Sequence, residues 1–279
     1  MSRSRVLLAL AAWALATLAT AAERVSFPSL DGAGNAPVVL TGHFFAAAAP
    51  YAPAIAMFHG CDGPYDKSGA LSRRMREYTE LFNSLGLHVL VVDSLTARYE
   101  KEICTQRIGH RRVTQVNRRL DALGAVAYLA ERSDVDEKRI GLIGWSNGGS
   151  TVLAATNLRH RDVAAAATRA AFAIAFYPGC EADLKRGYEP SAPLLMLVGE
   201  LDDWTPAAAC VALARAAAEP RPALESYPGA WHGFDSALPL RLRKDVPNGA
   251  HPGQGVHVGG NAAAWRASRY RVARFLAEH

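Results

Sequence analysis

The sequence predicts an α/β fold in which a mostly parallel central sheet carries helices on both faces. Short apolar runs typical of buried strands alternate along the chain with longer segments of helical periodicity. Residues suited to chemistry follow the ends of these runs, and sheets of this kind bind ligands beyond the carboxyl ends of their strands. We therefore expect one rim of the sheet to collect residues from five segments: Cys61, Arg98, Ser146, Asp202 and His232.

The first half of the chain supplies the early strands and two helices. Val25 to Phe27 and Val38 to Phe45 flank a Gly-containing turn, which is typical of a β-hairpin or meander. Buried strands are predicted at Ala54 to Phe58 and Leu87 to Asp93. One helix between them would bury Leu71, Met75, Tyr78, Phe82 and Leu85. A second helix is indicated by the spacing of Val113, Val116, Leu120, Leu123, Ala127 and Ala130.

The second half continues the alternation. Ile140 to Ile143 predicts a strand, and residues 150–156 predict the helix that follows it. Further strands are predicted at 171–177, 194–198 and 223–227, and further helices near 206–218 and 261–277. Residues 235–260 are rich in Gly and Pro and show no period, and the sequence does not define whether they form a lid.

Residues 1–22 are typical of a secretory signal peptide. Arg3 and Arg5 precede an apolar run from Val6 to Leu18, and a small-residue cleavage site follows at residues 19–21. The run is too short to cross a bilayer, and no later segment is long and apolar enough to do so. We expect an exported protein, periplasmic or secreted, with one α/β domain over residues 23–279 and no stable membrane insertion after cleavage.

The charge pattern argues against nucleic-acid binding. The formal net charge of the chain is +5, and loss of the two leader arginines lowers it by two. The basic pairs at 73–74, 111–112 and 118–119 occur at helical spacing among apolar residues, so we expect them on solvated faces. A nucleic-acid interface needs a denser basic stripe with stacking aromatics. The expected partner is a small molecule, and the oligomeric state is not defined by the sequence.

The segment from Gly144 to Gly149, Gly-Trp-Ser-Asn-Gly-Gly, has the features of a nucleophile turn. It contains the pattern G-x-S-x-G between a predicted strand and a predicted helix. Glycines on either side of Ser146 allow strand and helix to pass closely, so that the hydroxyl projects into a cleft. Ser146 is therefore the predicted nucleophile, and a plain Gly-rich turn is the alternative.

A serine nucleophile needs a base and a carboxylate that orients it. Among the histidines after Ser146, His232 follows a predicted strand within a few residues and lies in a Gly-flanked loop, so it is the predicted base. Asp202 stands in the turn after residues 194–198 and is the predicted acid, with Asp203 as the alternative. The competing acids Glu200, Glu181 and Asp183 are less favoured by position.

An oxyanion needs two hydrogen-bond donors beside the nucleophile. The backbone N–H of Asn147, at the start of the predicted helix, is one candidate. The N–H of Cys61, in the turn His59-Gly60-Cys61 after an earlier strand, is the other. Because these roles belong to the backbone, the side chains can vary. His59 is interpreted as a structural residue that holds this turn.

These residues together resemble the dienelactone hydrolase family of α/β-hydrolases, in particular its exported branch. The resemblance extends over nearly all of the chain after the leader and depends on the segments 58–63, 91–94, 144–149, 177–180, 199–206 and 231–234. It implies an α/β-hydrolase fold with Ser146 as nucleophile, Asp202 as acid and His232 as base. The name-giving members instead carry a cysteine nucleophile, and they carry a glutamate where this chain has Gly60. An ester hydrolase of broader type is therefore expected rather than one for dienelactone itself.

Three residues are candidate substrate contacts. Arg98 matches the place of an arginine that binds the substrate carboxylate in the family, and a surface loop arginine is the alternative. Trp204 and Trp231 lie beside the predicted acid and base and are candidate walls of an acyl pocket. Packing that excludes water is their alternative role.

The four cysteines predict two disulfides in an exported protein. Sequence alone allows three pairings. Cys61 and Cys104 follow consecutive predicted strands, and so do Cys180 and Cys210, which favours the pairs Cys61–Cys104 and Cys180–Cys210. None of the cysteines has the spacing of a zinc site, so no metal is expected.

The sequence therefore predicts a serine hydrolase that cleaves carboxylic esters, lactones included, through an acyl-enzyme and without a cofactor. The same residues can serve a peptidase or an acyltransferase. A non-catalytic binding module on the same fold is the alternative from another class, because fold alone does not define function.

Overall fold

The computed structural model describes residues 22–32 and 37–279, so nearly all of the predicted signal peptide lies outside the described residues. An eight-stranded sheet runs through the molecule in the order β1-β2-β4-β3-β5-β6-β7-β8. Its strands are β1 Glu23–Pro28, β2 Val39–Phe45, β3 Ala52–Phe58, β4 His88–Asp93, β5 Val135–Trp145, β6 Phe172–Phe176, β7 Leu194–Gly199 and β8 Ala223–Tyr227.

The sheet is mostly parallel, as predicted. Strand β2 pairs antiparallel with both β1 and β4, and every later pairing up to β7 with β8 is parallel. Strands β4, β6 and β7 are buried along their whole length, as expected for parallel strands covered on both faces. The carboxyl ends of β3 to β8 therefore point to one edge of the molecule.

Helices cover both faces of the sheet. They are α1 Arg73–Ser84, α2 Gln115–Ala130, α3 Asn147–Ala155, α4 Arg161–Ala165, α5 Glu181–Arg186, α6 Ala207–Ala216 and α7 Ala262–Glu278. One apolar layer joins the sheet to α2, α3 and α6, and the other joins it to α1 and α7. Alternate residues of the inner strands serve the two layers, as in β3, where Ala56 faces the first and Met57 the second. No helix in the described residues is long and apolar enough to cross a membrane.

The predicted buried face of α2 was partly wrong. Val116 is exposed, whereas Arg118 and Asp121 have no exposed surface. The expectation that the basic pair 118–119 is solvated was also wrong, since Arg119 is buried beside Asp162. The reason is that α2 packs against α3 and reaches the turn after β3, where polar groups need a partner.

The Gly- and Pro-rich segment after β8 is more ordered than its sequence indicated. It contains the strands β9 Arg241–Arg243 and β10 Val256–Val258, which pair antiparallel with each other. We call this pair the ribbon. Val258 forms a parallel bridge with His232, and the N–H of Gly259 donates to the carbonyl oxygen of His232 at 3.0 Å. The ribbon is thus attached to the loop that follows β8.

Both predicted disulfides are confirmed. Cys61 is bonded to Cys104 and Cys180 to Cys210, with Cα–Cα distances of 4.9 Å and 5.1 Å. Each bond joins two segments that follow neighbouring strands: Cys61–Cys104 joins two loops, and Cys180–Cys210 joins the start of α5 to α6. Within residues 22–32 and 37–279, no group of three or more His, Cys, Asp or Glu side chains is arranged to hold a metal ion.

Candidate active site

Ser146 lies in a strained turn between β5 and α3. Its backbone has φ 56° and ψ −117°, a conformation that residues other than glycine rarely adopt. Glycines permit the close approach around it. A Cβ on Gly144 would lie 2.1 Å from the Gly148 carbonyl oxygen, and a Cβ on Gly148 would lie 2.0 Å from the Phe58 carbonyl oxygen. The turn predicted from the pattern G-x-S-x-G is therefore present.

A continuous hydrogen-bonded chain joins three of the predicted residues. Oγ of Ser146 lies 2.8 Å from Nε2 of His232, and Nδ1 of His232 lies 2.7 Å from Oδ2 of Asp202. The side chains of His232 and Asp202 are almost fully buried. Because Nδ1 faces a carboxylate, it carries the proton in the neutral imidazole, which leaves Nε2 free to accept the serine proton.

The loop after β7 fixes the carboxylate of Asp202. Oδ1 accepts hydrogen bonds from the N–H groups of Trp204 and Thr205, at 2.9 Å and 2.8 Å. Oγ1 of Thr205 lies 3.0 Å from Oδ2 of Asp202 and 3.0 Å from the carbonyl oxygen of Tyr177. The sequence analysis missed Thr205, whose position three residues after an Asp is the available signal of such a turn.

The two predicted oxyanion donors come from segments in contact. The turn after β3 carries Cys61, and α3 begins at Asn147, where Gly148 packs on the carbonyl oxygens of Phe58 and His59. Neither the Cys61 N–H nor the Asn147 N–H donates a hydrogen bond to another group in the part of the chain that the structure describes. Each of these amides can therefore donate a hydrogen bond to a bound group.

Comparison with known proteins identifies the family of the chain. The sequence profile of the dienelactone hydrolase family matches residues 41–278. The chain belongs to the dienelactone hydrolase family. None of the curated proteins matches it.

Solved structures with the same fold include proteins described as dienelactone hydrolases or esterases. A dienelactone hydrolase-like promiscuous phosphotriesterase from metagenomic libraries is similar over 93% of this chain and 98% of its own, with a TM-score of 0.65 and 19% identity. A dienelactone hydrolase from Anabaena variabilis is similar over 92% of this chain and 98% of its own, with a TM-score of 0.63 and 17% identity. Esterase 2 of Thermogutta terrifontis, phosphoramylated by tabun, is similar over 93% of this chain and 95% of its own, with a TM-score of 0.59 and 18% identity. At these identities the likeness establishes the fold.

In this dienelactone hydrolase family member the cleft beside Ser146 is small and charged. Its volume is about 90 Å³, and its walls include the turn after β3, the ribbon and Trp204. Among the charged residues of the wall are Asp62, Arg74, Arg241 and Arg243. Arg243 pairs with Asp245 and lies over the Trp204 ring, whereas Arg241 has no ion-pair partner among the described residues.

Arg98 lies outside this cleft, contrary to the sequence prediction. Its guanidinium contacts Asp121 at 2.8 Å and Asp31 at 3.0 Å, and it donates to the carbonyl oxygen of Ser94 at 2.8 Å. Burial opposes its charge, but the hydrogen bonds and charges of the two aspartates outweigh that effect and raise its pKa. Arg98 therefore has a structural partner set and is unavailable to a substrate in the cleft.

Of the two tryptophans predicted to line an acyl pocket, one lines the cleft. Trp204 lines the cleft, and its ring lies 4.7 Å from the His232 ring. Trp231 is not among the cleft residues and instead packs on His257 at 4.5 Å. Tyr177 also contacts His232, at 4.6 Å between ring centroids. Trp204 and Tyr177 thus both pack on the imidazole.

The position of Tyr177 is itself fixed by a buried carboxylate, that of Asp235. The hydroxyl of Tyr177 donates to Oδ1 of Asp235 at 2.6 Å, and Arg74 also contacts Asp235. Burial raises the pKa of Tyr177 well above its ordinary value, so the hydroxyl remains a donor. Asp235 was not singled out by the sequence, because its partners lie far away along the chain.

Proposed function

We propose that this protein is a serine hydrolase that cleaves carboxylic esters, lactones included, through an acyl-enzyme. The supporting observation is the chain of contacts from Ser146 through His232 to Asp202, at 2.8 Å and 2.7 Å, beside an accessible cleft. Membership of a hydrolase family supports the same chemistry.

Ser146 is the nucleophile in this mechanism. Nε2 of His232 takes the hydroxyl proton while Oγ forms a bond to the ester carbonyl carbon. Asp202 holds the imidazole in the required tautomer and stabilises the imidazolium that results. The carbonyl oxygen becomes an oxyanion, and the N–H groups of Cys61 and Asn147 donate hydrogen bonds to it.

The remaining steps use the same groups. His232 returns its proton to the leaving alkoxide, and the alcohol departs as the acyl–Ser146 ester is completed. A water molecule then gives a proton to His232 and attacks the acyl carbon. Collapse of the second oxyanion breaks the bond between the acyl carbon and Oγ and releases the carboxylic acid, while His232 returns the proton to Oγ and restores the Ser146 hydroxyl.

The size of the cleft favours short acyl groups. Its volume of about 90 Å³ is well below the ~300–1,000 Å³ of pockets that enclose drug-sized ligands. Trp204 and the ribbon limit extension of a long chain. We therefore assign small esters as the preferred substrates.

Export is part of the proposal. The predicted leader at residues 1–22 and the two disulfides support an oxidising compartment, either the periplasm or the medium.

The test uses p-nitrophenyl esters of increasing acyl length with the wild-type protein and the Ser146→Ala variant. We expect the wild type to hydrolyse the shortest esters fastest and the variant to lose activity. A fluorophosphonate should label Ser146 in the wild type only, and matched p-nitroanilides measure any amidase activity. Absence of both ester hydrolysis and labelling would exclude the enzyme and favour the binding module.

A further inference from the structure

Arg118 is a fully buried cation with an unusual partner set. It lies on α2 with no exposed surface. Nη1 donates to Oδ1 of Asn147 at 2.5 Å, and Nη2 donates to the carbonyl oxygen of His59 at 2.8 Å. These two partners belong to the two segments that carry the proposed oxyanion donors. One guanidinium therefore bridges the start of α3 and the turn after β3.

The burial of the Arg118 charge is not explained by a gain in the stability of the fold. Within the described residues it has no carboxylate at ion-pair distance, and its Nε has no hydrogen-bond partner. Burial lowers its pKa to about 10, which reflects the cost of holding this charge away from water. Buried charges that lack a paired counter-charge destabilise a fold. A side chain placed at such a cost is expected to serve the site.

His59 continues the same network to the next peptide. Its Nδ1 lies 2.6 Å from the carbonyl oxygen of Gly60, and the N–H of Ser94 donates to its Nε2 at 3.3 Å. A carbonyl oxygen only accepts and a backbone N–H only donates, so His59 is neutral with its proton on Nδ1. Burial, followed by the charge of Arg118, lowers the pKa of His59 to about 3, in agreement with that state.

The contacts fix two successive peptide planes. Arg118 holds the carbonyl of the peptide between His59 and Gly60, and His59 holds the carbonyl of the peptide between Gly60 and Cys61. In a trans peptide the N–H points opposite to the carbonyl. Anchoring the Gly60 carbonyl therefore directs the Cys61 N–H, while the hold on the Asn147 side chain sets the first residue of α3.

We propose that Arg118 is a positioning residue that holds the Cys61 and Asn147 amides at the separation an oxyanion requires. The inference rests on the proposed function, since it assigns these amides to the oxyanion. It also explains why a guanidinium is needed. Its planar fork reaches two acceptors with fixed geometry, whereas a lysine ammonium on a flexible stem does not.

The neighbouring Arg119 provides a matched control. It lies on the same helix, is nearly as buried and forms an ion pair with Asp162 at 2.8 Å. Its guanidinium forms a hydrogen bond with neither His59 nor Asn147. Arg119→Met thus removes a buried guanidinium from α2 and leaves the proposed hole intact.

The experiment compares wild type with Arg118→Met, Arg118→Lys, Asn147→Ala and Arg119→Met. Rates for a short p-nitrophenyl ester are expressed per active site titrated with a fluorophosphonate, so loss of folded protein does not lower kcat. The inhibition constant of a trifluoromethyl ketone reports the oxyanion hole, because its adduct with Ser146 places an oxyanion there. The inhibition constant of the product acid reports binding that does not need the hole.

We expect Arg118→Met to lower kcat by roughly 10- to 100-fold with little change in KM, since loss of a whole oxyanion donor costs about 100- to 1,000-fold. The inhibition constant of the trifluoromethyl ketone should rise by a similar factor, and that of the product acid should not change. Arg118→Lys should recover part of the loss, Asn147→Ala should show a smaller loss, and Arg119→Met should behave as wild type in all three measurements.

Wild-type kcat and ketone affinity in Arg118→Met would overturn the inference while leaving the proposed esterase in place. Equal losses in Arg118→Met and Arg119→Met would also overturn it, since they indicate a general effect of α2. If Arg118→Met does not fold, unchanged kcat in both Arg118→Lys and Asn147→Ala has the same meaning. A wild type with no ester hydrolysis and no labelled Ser146 would instead reject the proposed function, and this inference with it.

Discussion

Oδ2 of Asp203 lies 2.6 Å from Nδ1 of His257, so the acid beside Asp202 is committed to the ribbon and not to His232. Its other oxygen accepts the N–H of His257 at 2.8 Å, and its backbone carbonyl accepts the N–H of Ala250 at 2.8 Å. Two adjacent aspartates therefore face different histidines. Asp202 contacts the proposed base His232, and Asp203 attaches the segment that forms one wall of the cleft.

The first prediction separates these two acids by the same substitution. Asp202→Asn should lower kcat by about 1,000- to 10,000-fold, because an amide no longer stabilises the Nδ1–H tautomer or the imidazolium. Asp203→Asn should keep kcat within about ten-fold of wild type and lower the melting temperature, since it weakens a largely structural pair. Steady-state kinetics and thermal denaturation of both variants measure the difference. The reverse ranking of kcat would assign the orienting role to Asp203.

The sequence predicted the positions that depend on local order along the chain. Ser146 and Asp202 follow apolar strands and His232 follows a short predicted strand, and in a parallel sheet those strand ends meet at one edge. The disulfide pairs followed from the same reasoning about Cys61, Cys104, Cys180 and Cys210. Strand order and loop position carry this information without knowledge of any side-chain contact.

Contacts between residues distant in sequence were not predictable in this way. Arg98 was assigned to substrate through the family resemblance. Its real partners, Asp31 and Asp121, lie in segments that periodicity does not connect with it. Arg118 was assigned to solvent because helical periodicity counts apolar residues and overlooks a polar residue buried for a site. The ribbon was missed because it is short and depends on attachment to His232 and Asp203 rather than on alternation of its own residues.

The second prediction compares two arginines as binding residues for an anionic substrate group. The sequence favoured Arg98, whereas the structure favours Arg241, which lines the cleft. Arg98→Gln should lower the free energy of unfolding by about 3 kcal/mol, because buried Asp121 loses its ion-pair partner. It should leave the KM ratio between anionic and neutral esters unchanged. Arg241→Gln should raise KM about five-fold for esters with a free carboxylate, as expected for a solvent-exposed charge pair worth ~1 kcal/mol, and should not affect neutral esters.

Chemical denaturation and paired KM measurements with a neutral ester and its carboxylate analogue decide this prediction. The two variants carry the same change of charge, so each is the control for the other. A change in ester preference in Arg98→Gln alone would return the anion-binding role to Arg98.

The third prediction concerns the pH dependence of stability that follows from His59. Its pKa in the folded protein is about 3, below the value of about 6.5 in an unfolded chain. Between these values the unfolded chain binds one more proton than the folded protein, so unfolding becomes easier as the pH falls. The contribution of His59 is complete above about pH 6.5 and is lost progressively below it, by up to about 1.4 kcal/mol per pH unit.

His59→Gln removes this titration. We expect the variant to be less stable at pH 7, where the Gly60 contact is weakened, and to lose less stability than wild type between pH 7 and pH 5. Urea denaturation at several pH values gives both free energies, and their difference cancels the carboxylates that titrate in both proteins. Parallel curves for the two proteins would show that His59 does not carry a depressed pKa.

The fourth prediction contrasts the two disulfides. They close loops of similar length, 43 and 30 residues, so each should stabilise the fold by about 4 kcal/mol in the chain-entropy account. Only Cys61–Cys104 includes a residue whose N–H is a proposed oxyanion donor. Replacing both members by alanine should therefore lower stability in either pair, but should lower kcat per titrated site only in Cys61→Ala with Cys104→Ala.

The reason lies in the turn itself. The Ile103 N–H donates to the carbonyl oxygen of Cys61 at 2.7 Å, so the disulfide and this hydrogen bond together fix the backbone on the far side of the Cys61 amide. Cys180–Cys210 joins α6 to the start of α5, away from the oxyanion turn. Kinetics on the two double variants, below the melting temperature of each, test the contrast. An equal loss of kcat in both would mean that the disulfides act on activity through overall stability, and that the Cys61 amide needs no covalent support.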